Sequence, residues 1–322
     1  MGKIKLLITD GLSSEGIKLL EESSLFTITL HKNIEKEELK KILPHYEAVI
    51  IRSATKFSKD LIDCAKSLKV IMRAGAGVDN VDIANASSKK ILVLNCPDVN
   101  NNAVAELAIG FMFSLLREIP RATQGMKQNL WEKKELIGRE AAGRTVGIVG
   151  YGAIGNLVGK ACHALGMRVH AYDPQAKEKK NAAAAVSLWC STIDEVFSSS
   201  DIISLHMPLI DSTKNSIGAA QFSKMKKGSY FINCSRGGIV KEEDLLAALN
   251  NGTLAGAALD VFAEEPVAPN SALVQHPKVI CTPHIGAATK ESQTKIGIAA
   301  ATHLINYFKE SNTSTAVNKG AF

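Results

Sequence analysis

Three segments carry side chains suited to moving a proton and gripping a carboxylate. They are Asn233-Cys234-Ser235-Arg236-Gly237-Gly238, Asp260-Val261-Phe262-Ala263-Glu264-Glu265-Pro266 and Thr282-Pro283-His284-Ile285-Gly286-Ala287. Histidine titrates nearest neutrality, so His284 is suited to exchange a hydroxyl proton. A carboxylate beside it, Glu265, would favour the imidazolium, raise its pKa and hold the ring. The fork of Arg236 fits a carboxylate through two parallel hydrogen bonds. Each residue also has a plainer reading. A histidine after a strand is often a capping or surface group, an arginine before Gly-Gly can end a strand, and a glutamate before proline can open a loop. Spacing alone does not bring the three together.

The hydride that such a set would help to move needs an acceptor, and Thr145-Val146-Gly147-Ile148-Val149 runs into Gly150-Tyr151-Gly152-Ala153-Ile154-Gly155. A GxGxxG alone is weak, but this one follows a β-branched strand and opens a helical pattern. Gly150 would make the tight turn, Gly152 would admit a pyrophosphate, and Gly155 would let helix and strand pack closely. The helix N-terminus would offer its N–H groups to the phosphates. About twenty residues on, Asp173 ends the next strand, where a carboxylate accepts from ribose hydroxyls and repels a 2′-phosphate, which favours NAD over NADP.

Behind these loops, short apolar runs alternate with helical patterns, the signature of parallel sheets with right-handed crossovers. Strands are predicted at Ile4–Thr9, Ala48–Arg52, Val70–Met72 and Ile91–Leu94. A second series comprises Thr145–Val149, Arg168–Tyr172, Asp201–His206, Ser229–Asn233, Gly256–Asp260 and Val279–Thr282. Helices are predicted at Lys59–Ser67, Gly155–Leu165 and Glu242–Asn250. Longer ones at Asn102–Leu116 and Thr289–Phe308 bracket the second series. One domain is therefore expected over 98–290 and another over 1–97 together with 291–322. The three candidate segments all follow strands, where open α/β sheets bind ligands.

Composition agrees with this architecture. The chain has 322 residues, 46% hydrophobic and 22% charged, ordinary for a globular protein and unlike a disordered or collagenous one. Its net charge of +6 is spread along the length, and the densest basic stretch, Lys177–Lys180, lacks aromatic interleaving. A solvated surface is the default there, and no nucleic-acid partner is expected. The six cysteines form no CxxC pair, so no metal is expected and reduced thiols in a cytoplasmic protein are the simplest reading. The most apolar stretch, Ala103–Leu116, contains Glu106 and falls short of a membrane span.

These segments closely resemble the D-isomer-specific 2-hydroxyacid dehydrogenase family. The resemblance extends over Arg52-Ser53-Ala54-Thr55, RAGAGVDNVD from Arg73 to Asp82, the GYGAIG loop, NCSRGGIV, AALDVFAEEP and PHIGAAT, in the family's order. It implies an α/β protein with a Rossmann-type dinucleotide-binding domain inserted into a flavodoxin-like substrate domain. It assigns catalysis to Arg236, Glu265 and His284, with Glu264 one place off the motif. Cofactor contacts carry over to Ala153, Ile154, Asp173, Cys234, Arg236, Asp260, His284 and Gly286, beside the loop glycines. The substrate loop carries over to Arg73, Ala74, Gly75, Ala76 and Gly77. Relatives often have arginine at Ala153 and threonine at Ala76 and Met207, so three polar contacts are missing here.

The resemblance also places Arg52, with Arg73, near the substrate's far end, and Ser53 among the substrate-binding residues. A cation there suits a phosphorylated 2-hydroxy acid and has no partner on a short-chain one; a surface salt bridge is the plainer alternative. The expected activity is oxidation of 3-phosphoglycerate with NAD as acceptor. The alternatives are reduction of glyoxylate, hydroxypyruvate or another 2-keto acid, or an NAD-responsive binding protein without turnover. A homodimer is expected, with an arm around Trp131 from which Lys133 reaches the second subunit's site. Ala103–Leu116 is also apolar enough to pack either within the monomer or between subunits. A chain ending at Phe322 is expected to lack the family's C-terminal regulatory domain.

Overall fold

Residues 2–32, 34–175 and 184–322 are described by a computed structural model, so the Lys177–Lys180 run lies outside the described residues. The chain divides into two compact units, Met1–Asn100 with Ala288–Phe322, and Asn101–Ala287. Each unit is built on one wholly parallel sheet.

The first unit contains β1 (Ile4–Ile8), β2 (Phe26–Leu30), β3 (Ala48–Ile51), β4 (Val70–Arg73) and β5 (Leu92–Leu94), in the order β2-β1-β3-β4-β5. This is the flavodoxin-like order, with its reversal between β1 and β3. All four residues of β3 are fully buried, as expected where helices cover both faces of a parallel sheet. β2 is absent from the predicted strands because it lies at the edge: Phe-Thr-Ile-Thr-Leu alternates instead of running apolar, and Leu30 stays 52% exposed. The helix expected over Lys59–Ser67 stops at Cys64, where Ala65 leaves helical geometry.

After the long helix Lys290–Glu310, the chain turns through Ser311 at φ +55 and lies along β5. Asn318 fastens it there. Its Oδ1 accepts the Val93 N–H at 2.9 Å, and its Nδ2 donates to the Ile91 carbonyl and Ser87 Oγ. The returning tail thus belongs to the sheet by hydrogen bonds that no apolar periodicity announces.

The second unit contains β6 (Thr145–Val149), β7 (Arg168–Tyr172), β8 (Leu188–Trp189), β9 (Ile202–Leu205), β10 (Ser229–Asn233), β11 (Leu254–Leu259) and β12 (Val279–Cys281). Their order, β12-β11-β10-β9-β6-β7-β8, reverses between β6 and β9 in the Rossmann manner. The two-residue β8 is too short to register as a periodic segment. The apolar helix Asn101–Leu116 is absorbed by this unit's own core. Ala108, Phe111, Met112 and Leu116 are buried, and the helix packs on the helix Ala153–Ala164 and on β10 and β11.

Replacing Asn318 with Ala leaves the Val93 N–H and Ile91 carbonyl without partners in a buried place. The variant is expected to lose about 1–3 kcal/mol of stability, read as a lower urea midpoint with an unchanged m-value.

Candidate active site

In the second unit, the glycine loop follows β6 at the reversal. Gly150 takes φ +91, and a Cβ there would stand 2.6 Å from the His206 carbonyl oxygen, so the loop can pass the end of β9 only as glycine. A Cβ on Gly155 would meet the Gly150 carbonyl oxygen at 2.2 Å, which makes this glycine a packing requirement. Gly152 has open space where its Cβ would lie. The helix Ala153–Ala164 starts there without a side-chain cap, leaving the first-turn N–H groups to a ligand. Ala153 is exposed and Ile154 half-buried at that end. Asp173, 8% exposed, accepts the Tyr151 N–H and the Gln175 N–H at 2.8 Å each, fixing its carboxylate beside the loop. The uncapped helix end, the open face at Gly152 and the fixed carboxylate of Asp173 fit a dinucleotide.

The residue after β9, His206, was not singled out in the sequence. Its ring bonds Ser204 Oγ at 2.8 Å, and burial pushes its pKa down to about 4, so it stands neutral at the loop's edge. Its only sequence signal was its position at a strand's end. Met207 beside it is buried.

The three candidate segments follow β10, β11 and β12, adjacent in the sheet. After β12, His284 sits at φ +53, an uncommon conformation for a side-chain-bearing residue. Asp260, 1% exposed, holds the chain on both sides of it. It accepts Thr282 Oγ1 at 2.5 Å, the Ile285 N–H at 2.7 Å and the Gly286 N–H at 2.8 Å. Asp260, expected among the cofactor contacts, also forms this clamp.

Glu265 Oε1 accepts the Phe262 N–H at 3.0 Å, while Oε2 lies 2.7 Å from His284 Nδ1. The ring's other nitrogen, Nε2, is therefore the one directed away from the glutamate. The Glu265 hydrogen bond raises the His284 pKa above its ordinary value, against the opposing effect of burial. Burial would raise Glu265 itself, but the bonds from His284 and Phe262 hold it below the usual carboxylate range.

The Arg236 loop is locked to the same place. A Cβ on Gly237 would stand 1.8 Å from the Phe262 carbonyl oxygen, so only glycine lets the β10 and β11 loops touch. Buried Asn233 accepts from the Ser235 N–H and hydroxyl and donates to the Arg236 carbonyl. Arg236 Nη1 donates to the Ser235 carbonyl at 2.7 Å. The guanidinium is near enough to depress the pKa of both Glu265 and His284. Cys234 is 7% exposed, and burial pushes its thiol pKa up, which leaves it an inert wall. Glu264 is exposed. Arginine, glutamate and histidine thus converge within this unit.

The remaining candidates lie in the first unit, at its own sheet reversal. Asp10 follows β1 and Arg52 follows β3. Asp10 Oδ2 accepts the N–H groups of Arg52 at 2.7 Å and Thr55 at 3.1 Å, and Oδ1 accepts Thr55 Oγ1 at 2.6 Å. Ser53 is exposed. Beyond β4, Ala74 is buried and Gly75, at φ +150, lies beneath the Arg73 guanidinium; a Cβ there would overlap it. The carbonyls of Gly75 and Ala76 accept from the Cys96 N–H and Asn95 Nδ2, which pins the stretch leading to Gly77. Neither Asp10 nor Asn80, which bonds this loop, was anticipated. Both act on backbone atoms, and side-chain chemistry does not reveal that. Among the described residues no group of His, Cys, Asp and Glu is arranged to hold a metal ion, and no helix is long and apolar enough to cross a membrane.

A Rossmann-type unit whose adjacent strand ends carry Arg, Glu and His, joined to a flavodoxin-like unit, defines the class. The chain belongs to the D-isomer specific 2-hydroxyacid dehydrogenases, whose NAD-binding domain matches residues 109–286. It is 39% identical to D-3-phosphoglycerate dehydrogenase of Archaeoglobus fulgidus over 98% of this chain and 59% of that protein. It is 41% identical to hydroxypyruvate reductase of Thermotoga maritima over 92% of this chain and 96% of that one. The NAD-bound structure of 3-phosphoglycerate dehydrogenase from Entamoeba histolytica superposes with a TM-score of 0.82 at 30% identity, covering 99% of each chain. The chain therefore spans about three-fifths of the Archaeoglobus relative's length.

The raised His284 pKa depends on Glu265, so Glu265→Gln is expected to lower the imidazole titration midpoint followed by NMR. The pair also shapes stability. The histidine's share is present below its unfolded pKa and lost as pH rises through the raised folded value. The glutamate's share is present above its unfolded pKa and lost as pH falls through the depressed one.

Proposed function

We propose that this protein oxidises 3-phosphoglycerate at its C2 hydroxyl, with NAD as the acceptor. The observation that carries the phosphorylated substrate is Arg52. It stands half-buried at the strand end where an α/β sheet of this order binds ligands, and among the described residues no carboxylate pairs with its side chain. A guanidinium so placed suits a phosphate. Arg73, one strand over, supplies a second cation. The relatives named 3-phosphoglycerate dehydrogenase support the same reading.

The glycine loop, the first turn of the helix after it and Asp173 would hold the dinucleotide. The carboxylate beside the ribose position favours NAD over its 2′-phosphorylated form. When bound, NAD supplies the hydride acceptor. His284 takes the substrate's hydroxyl proton through Nε2, while Glu265 holds the ring by Nδ1 and stabilises the imidazolium that forms. Arg236 grips the C1 carboxylate and the C2 oxygen and so orients the carbon that loses hydride.

A second reading, reduction of hydroxypyruvate, is favoured by the Thermotoga relative, which this chain matches over almost its full length. The same Arg, Glu and His serve either direction. We also infer a homodimer. Ile119, Met126, Leu130, Trp131 and Ile137 are exposed along one segment, Trp131 by 77%. Arg121 braces the segment through Glu118 at 2.9 Å and Glu132 at 3.0 Å. Burying these side chains against a second copy would place Lys133 at the interface.

A panel of phosphorylated and unphosphorylated acids separates the readings. Arg52→Ala is expected to raise KM for 3-phosphoglycerate at least about tenfold, the loss of a charged hydrogen bond, with much less effect on hydroxypyruvate. Equal losses on both remove the phosphate role.

A further inference from the structure

The two cations assigned to the substrate are tied together by one amide. Asn80, half-buried, donates from Nδ2 to the Arg52 carbonyl and to the Thr55 carbonyl, both at 2.7 Å. Its Oδ1 faces Arg73 Nε at 3.5 Å. The amide thus spends both donors on the loop that carries Arg52 and turns its acceptor to the side chain of Arg73. On the opposite side of that loop, Asp10 takes the Arg52 and Thr55 N–H groups. The two ends of the Arg52–Thr55 turn are therefore gripped twice, their N–H groups by a carboxylate and their carbonyls by an amide.

The backbone around Asn80 is itself fixed. Its carbonyl accepts the Phe57 N–H at 2.7 Å, and the Asp82 N–H donates to the Phe57 carbonyl at 3.0 Å. Phe57 is fully buried. A side chain anchored in this way can transmit position to what it bonds. Asparagine alone among the small residues offers two donors and an acceptor in one plane. Aspartate would face two carbonyls with an oxygen, and leucine would leave both carbonyls unpaired.

We infer that Asn80 is a positioning residue that fixes the Arg52 and Arg73 cations relative to one another, and with them the seat they form for the substrate's phosphate. It touches no substrate atom and acts through the Arg52–Thr55 turn and the Arg73 side chain. The inference rests on the proposed substrate reading, but only for the identity of the anion.

The test measures KM and kcat for wild type, Asn80→Ala, Arg52→Ala and the double variant, with 3-phosphoglycerate and with hydroxypyruvate. Asn80→Ala is expected to raise KM for 3-phosphoglycerate about tenfold and to change kcat and the KM for NAD by less than about threefold. In the Arg52→Ala background the same substitution should add less than about threefold, because the two act on one contact. Full multiplication of the two effects, or a fall in kcat with KM unchanged, overturns the inference. Asn80→Asp keeps the side chain's shape and opposes the two carbonyls, and should raise KM at least as much as Ala; a wild-type KM in that variant also overturns it. If wild type prefers hydroxypyruvate, the substrate reading fails by that result. The role of Asn80 is then read on hydroxypyruvate, where a raised KM sustains its hold on Arg73 and an unchanged one removes it.

Discussion

A 2.7 Å hydrogen bond between Glu265 and His284 is the interaction on which the second unit's arrangement turns. It has to be made between two loops that leave neighbouring strands, and each loop is held by something other than the bond itself. Asp260 clamps the chain on either side of His284, and Phe262 offers its N–H to the far oxygen of Glu265. Gly237 lets the Arg236 loop lie against the same Phe262 carbonyl. The ring keeps one tautomer and one orientation because the surrounding backbone is committed to keeping them. That is the preorganisation general acid–base chemistry needs.

The rest of the molecule repeats one device. Both sheets are parallel and both reverse their order once, and each reversal opens a crevice at the strand ends. In the second unit the crevice receives the glycine loop with Gly150, His206 and Asp173. In the first it receives Asp10 and Arg52.

Much of this was legible in the sequence where side chains advertise their own chemistry. The glycine loop reads from spacing because its geometry excludes a Cβ at Gly150 and Gly155. Arg236, Glu265 and His284 read from their residue types at strand ends, although their convergence does not. What stayed hidden works through backbone atoms. Asp260 also clamps the backbone around His284, and Asn80 and Asp10 grip a loop through its N–H and carbonyl groups. β2 was hidden for another reason: an edge strand of alternating threonines lacks the apolar run that marks its buried neighbours. Asn318, likewise, joins the tail to β5 through polar contacts that leave no periodic trace.

The most direct measurement of the central claim is NADH formation from 3-phosphoglycerate by the purified protein, with wild type beside His284→Asn. The account predicts turnover by wild type and a fall in kcat of about 10²- to 10⁴-fold in the variant. Equal turnover by the two proteins would contradict it, as would NAD binding by wild type without turnover of any 2-hydroxy acid.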